Sequence, residues 1–345
     1  MLSANELWVT SIIRRAPANS PFIKSVVALG WIPIVTTAYV LTFGSPSLSF
    51  IIAQSLTASV VVTGPYQAYK FDTDVLPHFF EDCAELISEP DRNQLQSLQR
   101  EYESAFRTGH IPFVALWTLA VISVLILNRS YFAAQGIIPG TAVSIGYLIF
   151  LLNFGVLSGL GLYSVIIMIR SIRSVSKLSI EIEPLHPDGL GGLSVIGNSA
   201  IWSTLLISNG ALAIPLALQM VTSNIGGVVV YLGTGIYIAL IVTSFIYPTL
   251  KINRRAQEIR DSHLEEYRSE IRRLEAELSE IITTDSVTTK ELALQMEIER
   301  TRKEFQNYRD VRLYPLSIGI VTRLLSSILL PIGFTIFELY ISRLL

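Results

Sequence analysis

The chain has 345 residues, half of them hydrophobic and only 16% charged, which is too apolar for an ordinary soluble domain. A net charge of −2 excludes a dedicated nucleic-acid binder. The single cysteine, Cys83, excludes an intramolecular disulfide framework and a cysteine-cluster zinc site. Several stretches exceed the roughly 18 apolar residues needed to cross hydrocarbon. The expected fold class is therefore all-α, a polytopic membrane helical bundle of about six to seven spans with a cytoplasmic antiparallel helical hairpin.

Segment 1–20 has no basic region ahead of its apolar residues, unlike a cleaved signal peptide. Leu7, Trp8, Ile12 and Ile13 share one helical face and are followed by Arg14 and Arg15, which predicts an interfacial helix lying on the membrane. Segment 21–64 holds the first two membrane helices, near 23–43 and 48–64. Segment 65–111 reads as a cytoplasmic helical module. Within it "PHFFEDCAELIS" and "EPDRNQLQSLQREYESAFRTG" form two helices, with Ser88 and Asp91 as a capping pair and Gly109 as a C-cap. His78, Asp82, Cys83 and His110 are metal-type residues, but they lack the His spacing of a zinc motif, and a solvated helix pair is the expectation. Segment 112–169 holds membrane helices three and four, near 112–128 and 140–169. The fourth is long enough that it must tilt or project. Gly155 and Gly159 have the spacing that lets two membrane helices cross closely.

Segment 170–196 carries the most distinctive stretch, "EPLHPDGLGGL". Ahead of it, Leu178, Ile180 and Ile182 alternate with Ser179, Glu181 and Glu183, which predicts a short strand that Pro184 ends. His186 and Asp188, with Glu183 or Glu181 as the nearest third ligand, are candidates for binding an ion or ligand or for gating. Gly189, Gly191 and Gly192 stand before a helix start, where backbone amides meet anions, although the lysine of a phosphate-binding loop is missing. A J-domain reading of His-Pro-Asp fails for want of a flanking soluble hairpin with a basic face. The competing expectation is a rigid, capped turn that leads the chain back into the membrane.

Segment 197–248 holds membrane helices five and six, near 197–220 and 226–248. Segment 249–315 carries a heptad run at Leu264, Tyr267, Ile271, Leu274, Leu278 and Ile281, with a stutter near His263. "TTDSVTTKE" breaks the helix, Thr288 and Glu291 restart it, and Leu294, Ile298, Phe305 and Tyr308 line the return arm. This predicts a cytoplasmic coiled-coil hairpin. Thr301 and Arg312 weaken the second seam, so docking of a protein partner or of further copies competes with a self-contained stalk. Segment 316–345 is the C-terminal membrane helix. Arg323 within it either snorkels to the headgroups or gates. Uncharged polar residues inside the spans, chiefly Asn153, Asn198 and Asn209, either join helices or line a narrow polar path. Pro33, Pro215 and Pro331 are expected to kink their spans.

All Lys and Arg except Arg129, Arg323 and Arg343 fall before residue 25 or in 65–111, 170–196 and 249–315. The positive-inside rule then places the N-terminus in the cytoplasm, with the protein in the cell inner (plasma) membrane. "LHPDGLGGL" together with "YPLSIGIVTRLLSSILLP" resembles a group of uncharacterised prokaryotic multi-pass membrane proteins with a His-Pro-Asp-x-x-Gly-Gly-Leu loop. The resemblance implies no activity. The expected function is a channel-like or pore-forming oligomer regulated from the cytoplasm. The alternative is a non-conducting signalling or scaffold protein that recruits a partner through 249–315. An enzyme acting on lipid through His186 and Asp188 lacks a complete acid–base or metal constellation. The expected partners are the lipid bilayer, further copies of the chain and a cytoplasmic protein, without nucleic acid, cofactor or metal.

Overall fold

The structure, a computed structural model, describes residues 6–180, 183, 184, 186, 191–193, 197, 199, 209–220, 224–282, 289–311 and 333, with only the backbone described for part of 224–282. The described chain is almost entirely helical. Helix α1 is Trp8–Arg15, α2 Pro21–Phe43, α3 Leu48–Leu86, α4 Glu89–Leu127, α5 Arg129–Ala134 and α6 Ala142–Val175. Then come α7 (Gly210–Gln219), α8 (Asn224–Ile282) and α9 (Thr289–Asp310). Among the described residues α2, α3, α4 and α6 are long and apolar enough to cross a membrane. In lipid only a helix can satisfy every backbone group within its own segment, so long apolar runs take this form. Hydroxyls start two of these helices. Ser47 Oγ accepts from the Phe50 amide at the head of α3, and Thr141 Oγ1 accepts from the Ser144 amide at the head of α6.

Two prolines explain two irregular turns. Pro33 lies in α2 and Pro77 in α3, and each is preceded by a π-turn, at Val26–Gly30 and Phe71–Val75. A proline ring collides with the carbonyl four residues back, here those of Leu29 and Thr73, and both fall inside these wider turns. The helices therefore run on. Pro215 sits in the first turn of the α-helical stretch Ile214–Gln219, which follows a 3-10 turn at Gly210–Ala213.

Helix α6 is central and packs against α2, α3 and α4. Gly155 and Gly159 bring α6 and α4 together. A Cβ on Gly155 would lie 2.9 Å from Thr118 Cα, and one on Gly159 would lie 3.0 Å from Trp117 Cδ1. Two apolar clusters flank this crossing. One gathers Val40, Phe50, Phe132, Tyr147 and Phe150. The other gathers Leu7, Phe71, Phe79, Phe80, Phe106 and Met168, with Phe71 and Phe106 edge to face at 4.8 Å. The second cluster extends to Leu95, Ile180 and Leu193, outside the apolar spans, where water drives burial. Within the spans close packing has to serve instead.

Several sequence expectations change here. Of the apolar face expected on α1, Leu7 and Ile13 are fully buried in the protein, and Trp8 and Ile12 are half-buried. Residues 65–111 are continuous with the spans, as extensions of α3 and α4. Gly109 caps the stretch Arg92–Thr108 as expected, but in a right-handed conformation (φ −77°) that leads straight on into His110. Its lack of a side chain serves close packing, since a Cβ would lie 2.9 Å from the Tyr163 hydroxyl. Asp91 does not complete a capping box; its carboxylate accepts from the Ser179 amide at 2.9 Å. The strand expected at 178–183 is reduced, among the described residues, to a single antiparallel bridge between Ile180 and Ile87. The partner there is a helix end, which offers one residue to pair with and no edge to extend along.

Helix α8 is continuous for 59 residues, about 90 Å at 1.5 Å per residue, and runs unbroken past His263. Its far half and α9 run antiparallel. Leu274, Leu294 and Ile298 pack together, Tyr308 rests on His263 and Tyr267, and Arg302 pairs with Glu275 at 2.8 Å. Thr301 is buried without loss, because its hydroxyl donates to the Glu297 carbonyl. Leu292 and Met296 stand exposed on the other side of α9. The side chain of Ile281, and Arg312, Thr288, Pro331, part of the expected fifth span and most of the seventh, lie outside the described residues.

Candidate functional site

Glu183, ahead of the "HPDGLGG" stretch, is bonded to both His186 and Gly191. The Glu183 amide donates to the Gly191 carbonyl at 3.4 Å, and the His186 amide donates to the Glu183 carbonyl at 3.1 Å. Gly191 (φ 67°) and Gly192 (φ 87°) adopt the left-handed conformation that favours glycine. A Cβ on Gly192 would come 2.3 Å from Leu86 Cδ2, so the turn is pressed onto the end of α3. Leu193 follows it into the core. Glu183 is exposed and His186 half-buried. Asp188 and Gly189 lie outside the described residues, as do Asn198 and Arg323. Among the described residues no three His, Cys, Asp or Glu side chains are grouped to hold a metal.

Three intramembrane amides, Asn209, Gln219 and Gln54, act as joints. Asn209 Nδ2 donates to Thr63 Oγ1 on α3 at 3.0 Å. Gln219 donates to the Ser49 carbonyl and accepts from the Tyr131 hydroxyl, which ties the end of α7 to α3 and α5. Gln54 donates to Thr37 between α3 and α2. Asn153 is half-buried on α6.

One polar centre carried no sequence signal. Asp72, in the π-turn of α3, is 4% exposed and accepts from Thr10 Oγ1 at 2.7 Å, Arg107 Nε at 3.0 Å and the Leu7 amide at 3.4 Å. Arg107 is held in turn by Glu103 at 3.3 Å. Three separate parts of the chain, α1, α3 and α4, meet on this carboxylate. A buried carboxylate is tolerable only when paired and hydrogen-bonded, and this one is.

A cavity of about 370 Å³ lies between α3, α4, α6 and α7, with Tyr237 of α8 in its lining. Its walls include Val60, Val61, Val121, Val124, Leu157 and Leu216. The hydroxyls in its lining are already engaged. Thr57 donates to the Ala53 carbonyl, Ser164 to the Gly161 carbonyl and Ser158 to the Phe154 carbonyl, and Ser158 also accepts from Trp117 Nε1. The walls are therefore effectively apolar. Polar lining groups collect toward one end, at Gln67, Ser164, Asn209 and Tyr237.

Four apolar helices of crossing length, three of them packed around the fourth, α6, define a helical integral membrane protein. No protein family, no curated protein and no solved structure matches the chain.

Proposed function

We propose that this chain is a non-conducting signalling or scaffold protein of the cell inner membrane, with its N-terminus and hairpin in the cytoplasm. The hairpin is its working surface for a cytoplasmic protein partner. The observation that carries this reading is the unbroken helix α8. A single rigid rod joins the membrane end of the molecule to the arm that pairs with α9, so an event at either end is felt at the other. Lys and Arg crowd the segments assigned to the cytoplasm, which supports the orientation. Leu292 and Met296, exposed on α9, give the hairpin an apolar contact for a partner helix or for a second copy.

A channel-like oligomer has less support. Asn209, Gln219 and Gln54 join helices, and the large cavity is apolar. The exposed faces of the spans carry Trp31, Val35, Leu116 and Leu119, which suit lipid or a packed copy and not an aqueous path. Reconstitution of the full chain into planar bilayers tests the reading. The expected result is no conductance at any voltage, with cysteines introduced at Ser262 and Ser279 labelled only from the cytoplasmic side. A reproducible unitary conductance, or labelling from the other side, refutes it.

A further inference from the structure

We infer that the cavity between α3, α4, α6 and α7 is a binding site for one hydrocarbon tail of a membrane amphiphile, lodged within the protein and parallel to the spans. Four features of the cavity lead there.

The first is its length. Along α3 it runs from Thr57 to Gln67, and along α6 from Leu151 to Ser164. At 1.5 Å per residue these are about 15 and 20 Å, comparable to the roughly 15 Å hydrocarbon depth of one leaflet. A volume of about 370 Å³ spread over that length is a slot for a chain and not a bowl for a ring system.

The second is its lining. With the Thr57, Ser158 and Ser164 hydroxyls engaged by backbone carbonyls, little is left to hold a file of water. An apolar space of this size between membrane helices is filled by hydrocarbon, the solvent at hand.

The third is polarity along its axis. The far end, at Val124, Phe132 and Met220, is apolar apart from Thr57, whose hydroxyl is taken up by the Ala53 carbonyl. The near end carries Gln67, Asn209 and Tyr237. It lies on the side from which α3 continues, five residues on, to Asp72 and the Arg107 pair. An amphiphile fits this gradient in one direction only, tail inward and polar group beside Gln67.

The fourth is access. Ala120 lines the cavity and is exposed on the face of α4 that also presents Leu116 and Leu119. That face borders lipid, so a tail can enter sideways from the bilayer.

Gly161 makes the idea testable. It lines the cavity, and a Cβ there would meet nothing within 4 Å, so a larger side chain fills the slot without displacing its walls. Trp117, also in the lining, is a built-in reporter. The experiment uses the full chain in detergent micelles with Trp8, Trp31 and Trp202 changed to Phe. It is titrated with phosphatidylcholine carrying a brominated acyl chain and, separately, with brominated stearic acid. The expected result is saturable quenching of Trp117 at one site per chain. Gly161→Leu should weaken it at least tenfold, and Gly235→Leu, at a position outside the cavity, should leave it unchanged. Ala213→Leu is a second filling variant should Gly161→Leu fail to give a monodisperse protein. Saturation by the phospholipid alone assigns the site to a bilayer lipid tail, and saturation by the acid assigns it to a free fatty chain. Quenching that rises linearly with probe in all variants, or that is untouched by both filling substitutions, overturns the inference.

Discussion

Removing the Asp72 carboxylate is the sharpest test of how α1, α3 and α4 are held together. In Asp72→Ala, Thr10 and the Leu7 amide lose their acceptor and Arg107 loses one of its two carboxylates. Breaking a fully buried ion pair costs about 3–5 kcal/mol. Arg107 is 23% exposed and keeps Glu103, so its residual charge is partly solvated and partly paired. The loss of hydrogen bonds to a charged acceptor adds to this, but these losses overlap. A net destabilisation of about 2–3 kcal/mol follows. Asp72→Asn keeps the shape and an acceptor for Thr10 and should cost less. Equilibrium unfolding by sodium dodecyl sulfate in mixed micelles, followed by circular dichroism, measures both. The effect should also be local. Helix α1 is bonded to α3 through Thr10, so trypsin should cut at Arg14 and Arg15 faster in the variant at equal detergent. Leucine at both Asp72 and Arg107 should recover part of the loss, because no charge is then stranded. A change under about 0.5 kcal/mol in Asp72→Ala, or a double variant as unstable as the sum of the singles, would refute this account of the centre.

Gly161→Ala should stabilise the protein by about 0.5–1 kcal/mol in the same unfolding assay, since the residue is mid-helix and a Cβ meets open space; a loss of stability would mean the cavity wall is misplaced. Gly155→Ala should do the reverse, by about 1–3 kcal/mol, because its Cβ would meet the backbone of α4 at Thr118, and a neutral result would contradict the close crossing. Burial, then Tyr308 and Glu304, push the Tyr267 hydroxyl above its ordinary range. A group raised in the folded state contributes stability that is complete below its unfolded value near 10 and is lost as pH rises through the folded value. The pairing of α8 with α9 should therefore weaken above about pH 10, as read by tyrosinate absorbance and hydrogen exchange in α9, and Tyr267→Phe should remove that step.

The membrane class and the long helices were legible because hydrocarbon leaves apolar segments no alternative to a helix. The helix continuities were harder to see. Residues 65–111 look separate because their charge rises sharply, yet charge marks where a helix leaves the membrane and not where it ends. Besides Pro65, which α3 also runs through, Pro77 and Gly109 are residues there that ordinarily stop a helix. One is absorbed by a π-turn and the other stays in a right-handed conformation against Tyr163. Alternation at Leu178 and Ile180 reported burial correctly, since both are in the core, but burial of alternate side chains does not create a second strand to pair with. Asp72 was invisible because its partners stand 35 and 62 positions away, and nothing local distinguishes it from Asp74, two residues on. The glycines of "GLGG" left a reliable signal, but of conformation: two positive φ values and a close approach to Leu86 account for Gly191 and Gly192.

Whether such a protein conducts turns on where its intramembrane polar groups are committed. A permeant ion must find oxygens that face it and are free to replace its water. Asn209 and Gln219 hold α7 to α3, Gln54 holds α3 to α2, and Ser158 holds Trp117 of α4 to α6. Each of these groups lies between two helices, and each would have to break a joint before it could ligand an ion. Hydrocarbon asks nothing of them. The same bonds that make a poor ion path leave the walls between the joints apolar, which is why one cavity argues both against conduction by the single chain and for a lipid tail inside it.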